Sequence, residues 1–100
     1  MGALVTSESK IERVVTAWAR DMGIMTIKLN VRGQRGTPDR LFMLNGRVLF
    51  LEFKRPGAKP SPLQRYMINQ LQANGFDAVV VDEVEQAKKL IGRYLLGWCI

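Results

Sequence analysis

The chain has 100 residues, of which 47% are hydrophobic and 24% charged, and it carries a net charge of +6. Those are values for one globular domain, and they exclude general disorder. With no histidine and a single cysteine, Cys99, the chain can build neither an internal disulfide, nor a Cys/His zinc site, nor a serine–histidine triad.

The opening MGALVT matches the N-myristoylation pattern at Gly2 and Thr6, but reads better as an ordinary disordered start over residues 1–6. Ile11, Val14, Val15, Trp18 and Met22 then recur at helical spacing, which predicts an amphipathic helix over residues 7–22 with Gly23 as its stop. IMTIKLN, residues 24–30, predicts a first strand, and VRGQRGTP a basic loop. DRLFML and RVLFLEFK flank Asn45-Gly46, a strong two-residue hairpin signal. RPGAKPSP is a second basic loop. It ends in Ser61 as N-cap and Pro62 at the first helical position, with Leu63, Met67 and Leu71 expected to face the core.

Asn74-Gly75 closes that helix and FDAVVV predicts a buried strand. Asp82 and Glu85 predict a capping box for a last helix whose apolar face runs from Val84 to Leu95. The predicted order is α-β-β-β-α-β-α, an α/β fold with a mixed sheet flanked by helices. The terminal YLLGWCI is too short to span a membrane and there is no signal-peptide pattern, so the expectation is a soluble cytoplasmic domain. Exposed, Leu95, Leu96, Trp98 and Ile100 would promote aggregation. The tail is therefore expected to bury against the core or a second subunit.

The positive charge is concentrated. Residues 28–65 hold nine basic groups and only two acids, Asp39 and Glu52, a local balance of +7 against −1 for the remainder. Such a field suggests a polyanion, most often nucleic acid. A tight turn at Asn45-Gly46 makes paired residue numbers sum to 91, which sets Asp39 directly across from Glu52 at roughly 5 Å between Cβ atoms. Lys54 falls on the same face by strand alternation. A bulge at Gly46 would shift this pairing by one.

Two opposed carboxylates repel, and a hard divalent cation relieves the conflict. Mg²⁺ or Mn²⁺ prefers oxygen ligands, keeps several waters and bridges to phosphate, while Lys54 orients or deprotonates the attacking water. The implied chemistry is phosphodiester hydrolysis. The bland alternative is a cross-strand Lys54–carboxylate salt bridge, which accounts for Lys54 but not for the paired acids.

TPDRL followed by LEFKRPG resembles the PD-(D/E)xK nuclease signature, with Pro38-Asp39 and then Glu52-Phe53-Lys54. The run GTPDRLFML-NGRVLFLEFKRPGAKPSPLQ is similar to the virus-type replication-repair nuclease (VRR-NUC) domain, and the similarity extends from about Ser7 to Leu95. The resemblance implies a restriction-endonuclease-like core forming a single domain over residues 1–100, of the stand-alone phage or bacterial type. The compartment it implies is the cytoplasm of a bacterial or phage-infected cell. It further implies an Mg²⁺- or Mn²⁺-dependent nuclease acting on branched DNA as a homodimeric four-way-junction resolvase.

Carried onto this sequence, the resemblance makes Asp39, Glu52 and the Phe53 carbonyl metal ligands, and Lys54 the residue assisting water. It adds a helix-1 glutamate, for which Glu8 and Glu12 are both candidates. Glu8 lies closer to the apolar stripe, Glu12 matches the family register relative to Gly23, and either reads equally as a solvated helix residue. Gln64 matches the glutamine after the family's SP helix start, yet Ser61-x-x-Gln64 is also a capping box, and both roles are compatible. Arg35, Arg40, Arg55 and Lys59 flank the site and are expected to hold phosphates. Trp18, Met22 and Tyr66 read as core residues rather than stacking platforms. The competing classes are a non-catalytic structured-DNA-binding module and a flap or restriction-type endonuclease.

Overall fold

A computed structural model describes residues 6–99. The Gly2 lipidation pattern and all but Thr6 of the expected disordered start lie outside them, as does Ile100. The elements run α1 (Glu8–Asp21), β1 (Met25–Lys28), β2 (Arg40–Leu44), β3 (Arg47–Phe53), α2 (Pro62–Ala73), β4 (Asp77–Val81) and α3 (Val84–Leu95). This is the order expected from the sequence. The strands form one mixed sheet, β1-β2-β3-β4, antiparallel except for the β3–β4 pair, which α2 connects as a crossover.

Local chemistry explains the ends of these elements. Ser7 caps α1 by accepting from the Lys10 amide. Gly23, at φ 80°, closes α1 as its amide donates to Arg20 O and the Ile24 amide donates to Ala19 O. Asn45 and Gly46 both take positive φ, 51° and 77°, as a two-residue hairpin turn requires. That turn sets the β2–β3 register at Leu44↔Arg47 through Arg40↔Leu51, the pairing derived from the sequence.

One face of the sheet carries Phe42, Leu49, Leu51, Phe53 and Val81, packed under Ile11, Val15 and Ala19 of α1 and Ala87, Ile91 and Leu95 of α3. Burial of this set is the main source of stability. The opposite face is only part-covered. α2 buries Ile68 over the β4 side, while Met67 and Leu71 are half-buried and Leu63 is exposed. The expected core role of Leu63 is therefore corrected. Ile68, five residues on, is the anchor, because α2 contacts β4 rather than the centre of the sheet. Met25 and Ile27 on β1 stay exposed for the same reason.

Three further expectations change. Met22 and Tyr66 are exposed rather than core: Met22 is the C-cap of α1, past its packed face, and Tyr66 lies on the solvent side of α2. The Asp82–Glu85 capping box does not form. The Asp82 carboxylate instead accepts from the Gly57 amide at 2.9 Å, clamping the second basic loop to the end of β4, and Glu83 becomes the N-cap of α3 without a side-chain bond.

The tail meets the expected burial only in part, with Leu96 half-buried and Ile100 outside the described residues. Leu95 is buried, and Trp98 lies edge-on to Trp18 at 6.1 Å and flat against Gly92, where an added Cβ would come within 1.9 Å of the indole. Even so, 43% of Trp98 remains exposed.

Candidate active site

The site forms where the β2–β3 hairpin opens. Arg40↔Leu51 is the last ladder pair, so Asp39 lies one residue beyond it. Its backbone carbonyl accepts from the Leu29 amide at 2.8 Å, and its Oδ2 accepts from the Phe53 amide, also at 2.8 Å. The carboxylate thus takes the place of the next strand residue. In an extended strand the N–H and C=O of one residue point to the same edge, so the Phe53 carbonyl faces the Asp39 side as well. On its other side β3 continues pairing, with the Lys54 amide donating to Val81 O.

Glu52 is 2% exposed. Its Oε2 accepts from Gln64 Nε2 at 2.9 Å and lies 3.4 Å from Lys54 Nζ, whereas its Oε1 is buried with no hydrogen-bond partner among the described residues. Burial, reinforced by the nearby Asp39 charge, pushes the Glu52 carboxyl up to about 7 against the pull of Lys54. Asp39 is also raised, by burial first, with the Phe53 amide opposing it and Glu12 and Glu8 adding to it.

Gln64 holds two positions at once. Ser61 Oγ accepts from the Gln64 amide and Gln64 Oε1 accepts from the Ser61 amide, a complete capping box. Because Ser61 occupies the amide oxygen of the Gln64 side chain, its NH₂ group is left to face Glu52. The first basic loop is tied to the same helix start. Gly36, at φ 82°, packs so closely that an added Cβ would lie 2.5 Å from Leu63 O and 3.0 Å from Gln64 N. Gly36→Ala therefore combines left-handed strain with a backbone clash. It is expected to cost about 1–3 kcal/mol, measurable as a lowered denaturation midpoint, and to move Arg35 relative to the site.

The structure thus brings Asp39, Glu52, Phe53, Lys54 and Gln64 together. Arg35, Arg55 and Lys59 are exposed on the flanking loops. Arg40 is placed differently. Its side chain is only 14% exposed and donates to Glu12 Oε2 at 2.8 Å, an oxygen that also takes Lys28 Nζ at 2.9 Å. Glu12 Oε2 is therefore held by two cations, while the Glu12 charge still acts on Asp39 ahead of that of Glu8. Glu8 is exposed, has no ion pair among the described residues, and acts electrostatically on both Asp39 and Glu52.

Among the described residues, no three acidic, histidine or cysteine side chains converge on one point. The donor set is nonetheless all oxygen, and the orphaned Glu52 Oε1 beside a second raised carboxylate suits a hard cation. The Lys28–Glu12–Arg40 cluster was missed by sequence reasoning. Its signal, the Lys28↔Arg40 register, spans an eleven-residue loop that no turn rule fixes.

No family model matches the chain. Among solved structures, a "VRR_NUC domain" superposes with a TM-score of 0.80 at 30% identity, covering 89% of this chain and 98% of that one. The chain belongs to the VRR-NUC family. A second solved structure, a "VRR_NUC domain protein" at 20% identity and a TM-score of 0.77, covers 91% of this chain and 89% of its own and shares the fold. In sequence, this VRR-NUC domain is 40% identical over 76 residues to "Putative nuclease p44" of Acyrthosiphon pisum secondary endosymbiont phage 1, covering 75% of this chain and 82% of that protein. Among the described residues, no helix is long and apolar enough to cross a membrane.

Proposed function

We propose that this VRR-NUC domain is a divalent-metal-dependent DNA endonuclease that hydrolyses phosphodiester bonds in branched DNA, working as a homodimer on four-way junctions. Glu52 carries the reading. A carboxylate this deeply buried, with one oxygen orphaned, an ammonium at 3.4 Å and a second carboxylate raising its pKa, is poorly explained as a fold-stabilising group. The name of the p44 relative, a nuclease, points the same way.

Asp39, Glu52 and the Phe53 carbonyl would hold Mg²⁺ or Mn²⁺. Glu8 or Glu12 would add the helix-1 carboxylate: both act on Asp39, Glu12 the more strongly, and only one oxygen of Glu12 is bonded to Lys28 and Arg40. The bound ion supplies charge neutralisation at the phosphate and lowers the pKa of a coordinated water. The protein's own groups do the rest. Lys54 orients the attacking water and offsets charge building on the phosphate oxygens. Gln64, its amide fixed by Ser61, holds Glu52 Oε2 in place. Arg35, Arg55 and Lys59 grip backbone phosphates, which gives affinity without reading sequence. Exposed Met25 and Ile27 on the part-covered sheet face offer apolar surface to a second copy.

The test is a nicking assay on labelled four-way junction, flap and linear duplex DNA with Mn²⁺, Mg²⁺ or EDTA. The expected result is cutting with either ion and none in EDTA, a preference for the junction, and paired incisions from two active sites. Lys54→Ala should lower the rate about 10²–10³-fold while binding persists. Binding without cutting under every metal condition would instead make the domain a structured-DNA-binding module.

A further inference from the structure

On the sheet face opposite the carboxylates, a groove of about 300 Å³ runs between α1 and the edge strand β1. Arg13 and Arg20 line it from α1, Lys28 from β1 and Arg40 from β2. One acid, Glu12, faces these four cations, and a single oxygen of it already bonds Lys28 and Arg40. Arg13 and Arg20 are exposed and have no ion pair among the described residues. Thr16, 4% exposed, forms part of the wall, and its hydroxyl is buried with no hydrogen-bond partner among the described residues. A groove of this net positive charge attracts an anion.

We propose that this groove is a second nucleic-acid track, in which Arg13, Arg20 and Lys28 hold backbone phosphates of the DNA arm leading away from the carboxylate site. Three observations fix the class and direction of the ligand. Arg13 and Arg20 are seven residues apart on one helix, roughly 10 Å. Cations at that separation can each take a different phosphate of one strand. The groove also begins at the N-terminal end of α1, where Glu8 is close enough to act on Asp39 and Glu52. Finally, the Glu12–Arg40 pair, only 11% and 14% exposed, forms the floor of the groove, and Arg13 and Arg20 lie exposed at its rim. Such contacts add affinity and salt dependence but no base reading.

The track rests on the nuclease reading only for its substrate, and its test does not need cleavage. Binding of the full chain to a fluorescent four-way junction is measured in EDTA across a salt series. The variants are Arg13→Ala/Arg20→Ala and, as a control of equal charge change, Arg47→Ala/Lys89→Ala. Thermal melts confirm that each variant is folded. The groove variant is expected to raise Kd about tenfold and to reduce the log–log salt slope by about 2, with the control near wild type.

Equal losses in the groove and control variants would overturn the track, since only net charge would then matter. So would groove-variant binding that matches wild type. Competition by inorganic phosphate at millimolar concentration as effective as that by DNA would also overturn it, and would make the groove a site for small anions. A wild type that binds through Arg13 and Arg20 but never cuts would leave the track standing and remove the nuclease reading.

Discussion

Asp39→Asn is expected to abolish metal-dependent cleavage, by about 10³-fold or more, while leaving the fold nearly as stable as wild type. The asparagine keeps an acceptor oxygen for the Phe53 amide, which Asp39 Oδ2 takes at 2.8 Å, and loses only the negative charge. Asp39→Ala removes both. The half-buried Phe53 amide then loses its partner at the end of the β2–β3 ladder, at a cost of about 1–3 kcal/mol. The two substitutions separate positioning from chemistry. Equal inactivity with unequal stability identifies the charge as the catalytic requirement. If Asp39→Asn cuts at the wild-type rate, Asp39 is a strand cap and the metal reading fails. Single-turnover cleavage with Mn²⁺, paired with denaturant unfolding of both variants, decides between these.

Glu52 leads to the second large effect, on stability. Its carboxyl is raised from 4.5 to about 7 in the folded state. The folded chain therefore binds more protons than the unfolded one across that interval, and stability falls as pH rises from about 4.5 through about 7. At roughly 1.4 kcal/mol per unit the penalty above pH 7 is on the order of 3 kcal/mol, equivalent to about 10 °C or more in melting temperature for a domain of this size. Asp39, also raised by burial, adds in the same direction. The chain has no histidine to obscure this window.

Metal-free protein is thus expected to melt higher at about pH 5.5 than at about pH 8. Mg²⁺ or Mn²⁺ should restore stability at the higher pH, by binding the ionised folded form. Glu52→Gln should flatten the pH dependence, raise the melting temperature in EDTA at about pH 8, and abolish both the cation response and cleavage. Melting that is insensitive to pH and to cations in the wild type would remove Glu52 from the metal site. A substitution that stabilises the fold while destroying activity is the mark of a group retained for function.

Most of the fold follows from short-range signals. Gly23, Asn45-Gly46 and Ser61-Pro62 each act through their own backbone geometry, so they were legible without neighbours. The hairpin turn also dictated register, and with it the convergence of Asp39, Glu52 and Lys54, because side-chain alternation propagates from a tight turn without ambiguity. The wiring around that convergence was not legible. Which oxygen of Glu52 would be satisfied, and which orphaned, depends on how α2 docks, since Gln64 reaches Glu52 only when α2 packs over β4.

The same holds for Asp82, whose carboxylate left its predicted helix cap for the Gly57 amide. The two partners are twenty-five residues apart, a separation on which local propensity is silent. The fate of Glu12 and Arg40 likewise needed the β1–β2 register, set across a long loop by burial of whole strand faces rather than by any turn. By itself the sequence determined the element order, the hairpin and the paired carboxylates, through local signals and the register that a tight turn propagates. Only the tertiary structure decided that one oxygen of Glu12 binds Lys28 and Arg40, that Glu8 has no ion pair among the described residues, and that a basic groove runs along α1. Those outcomes depend on packing between distant elements.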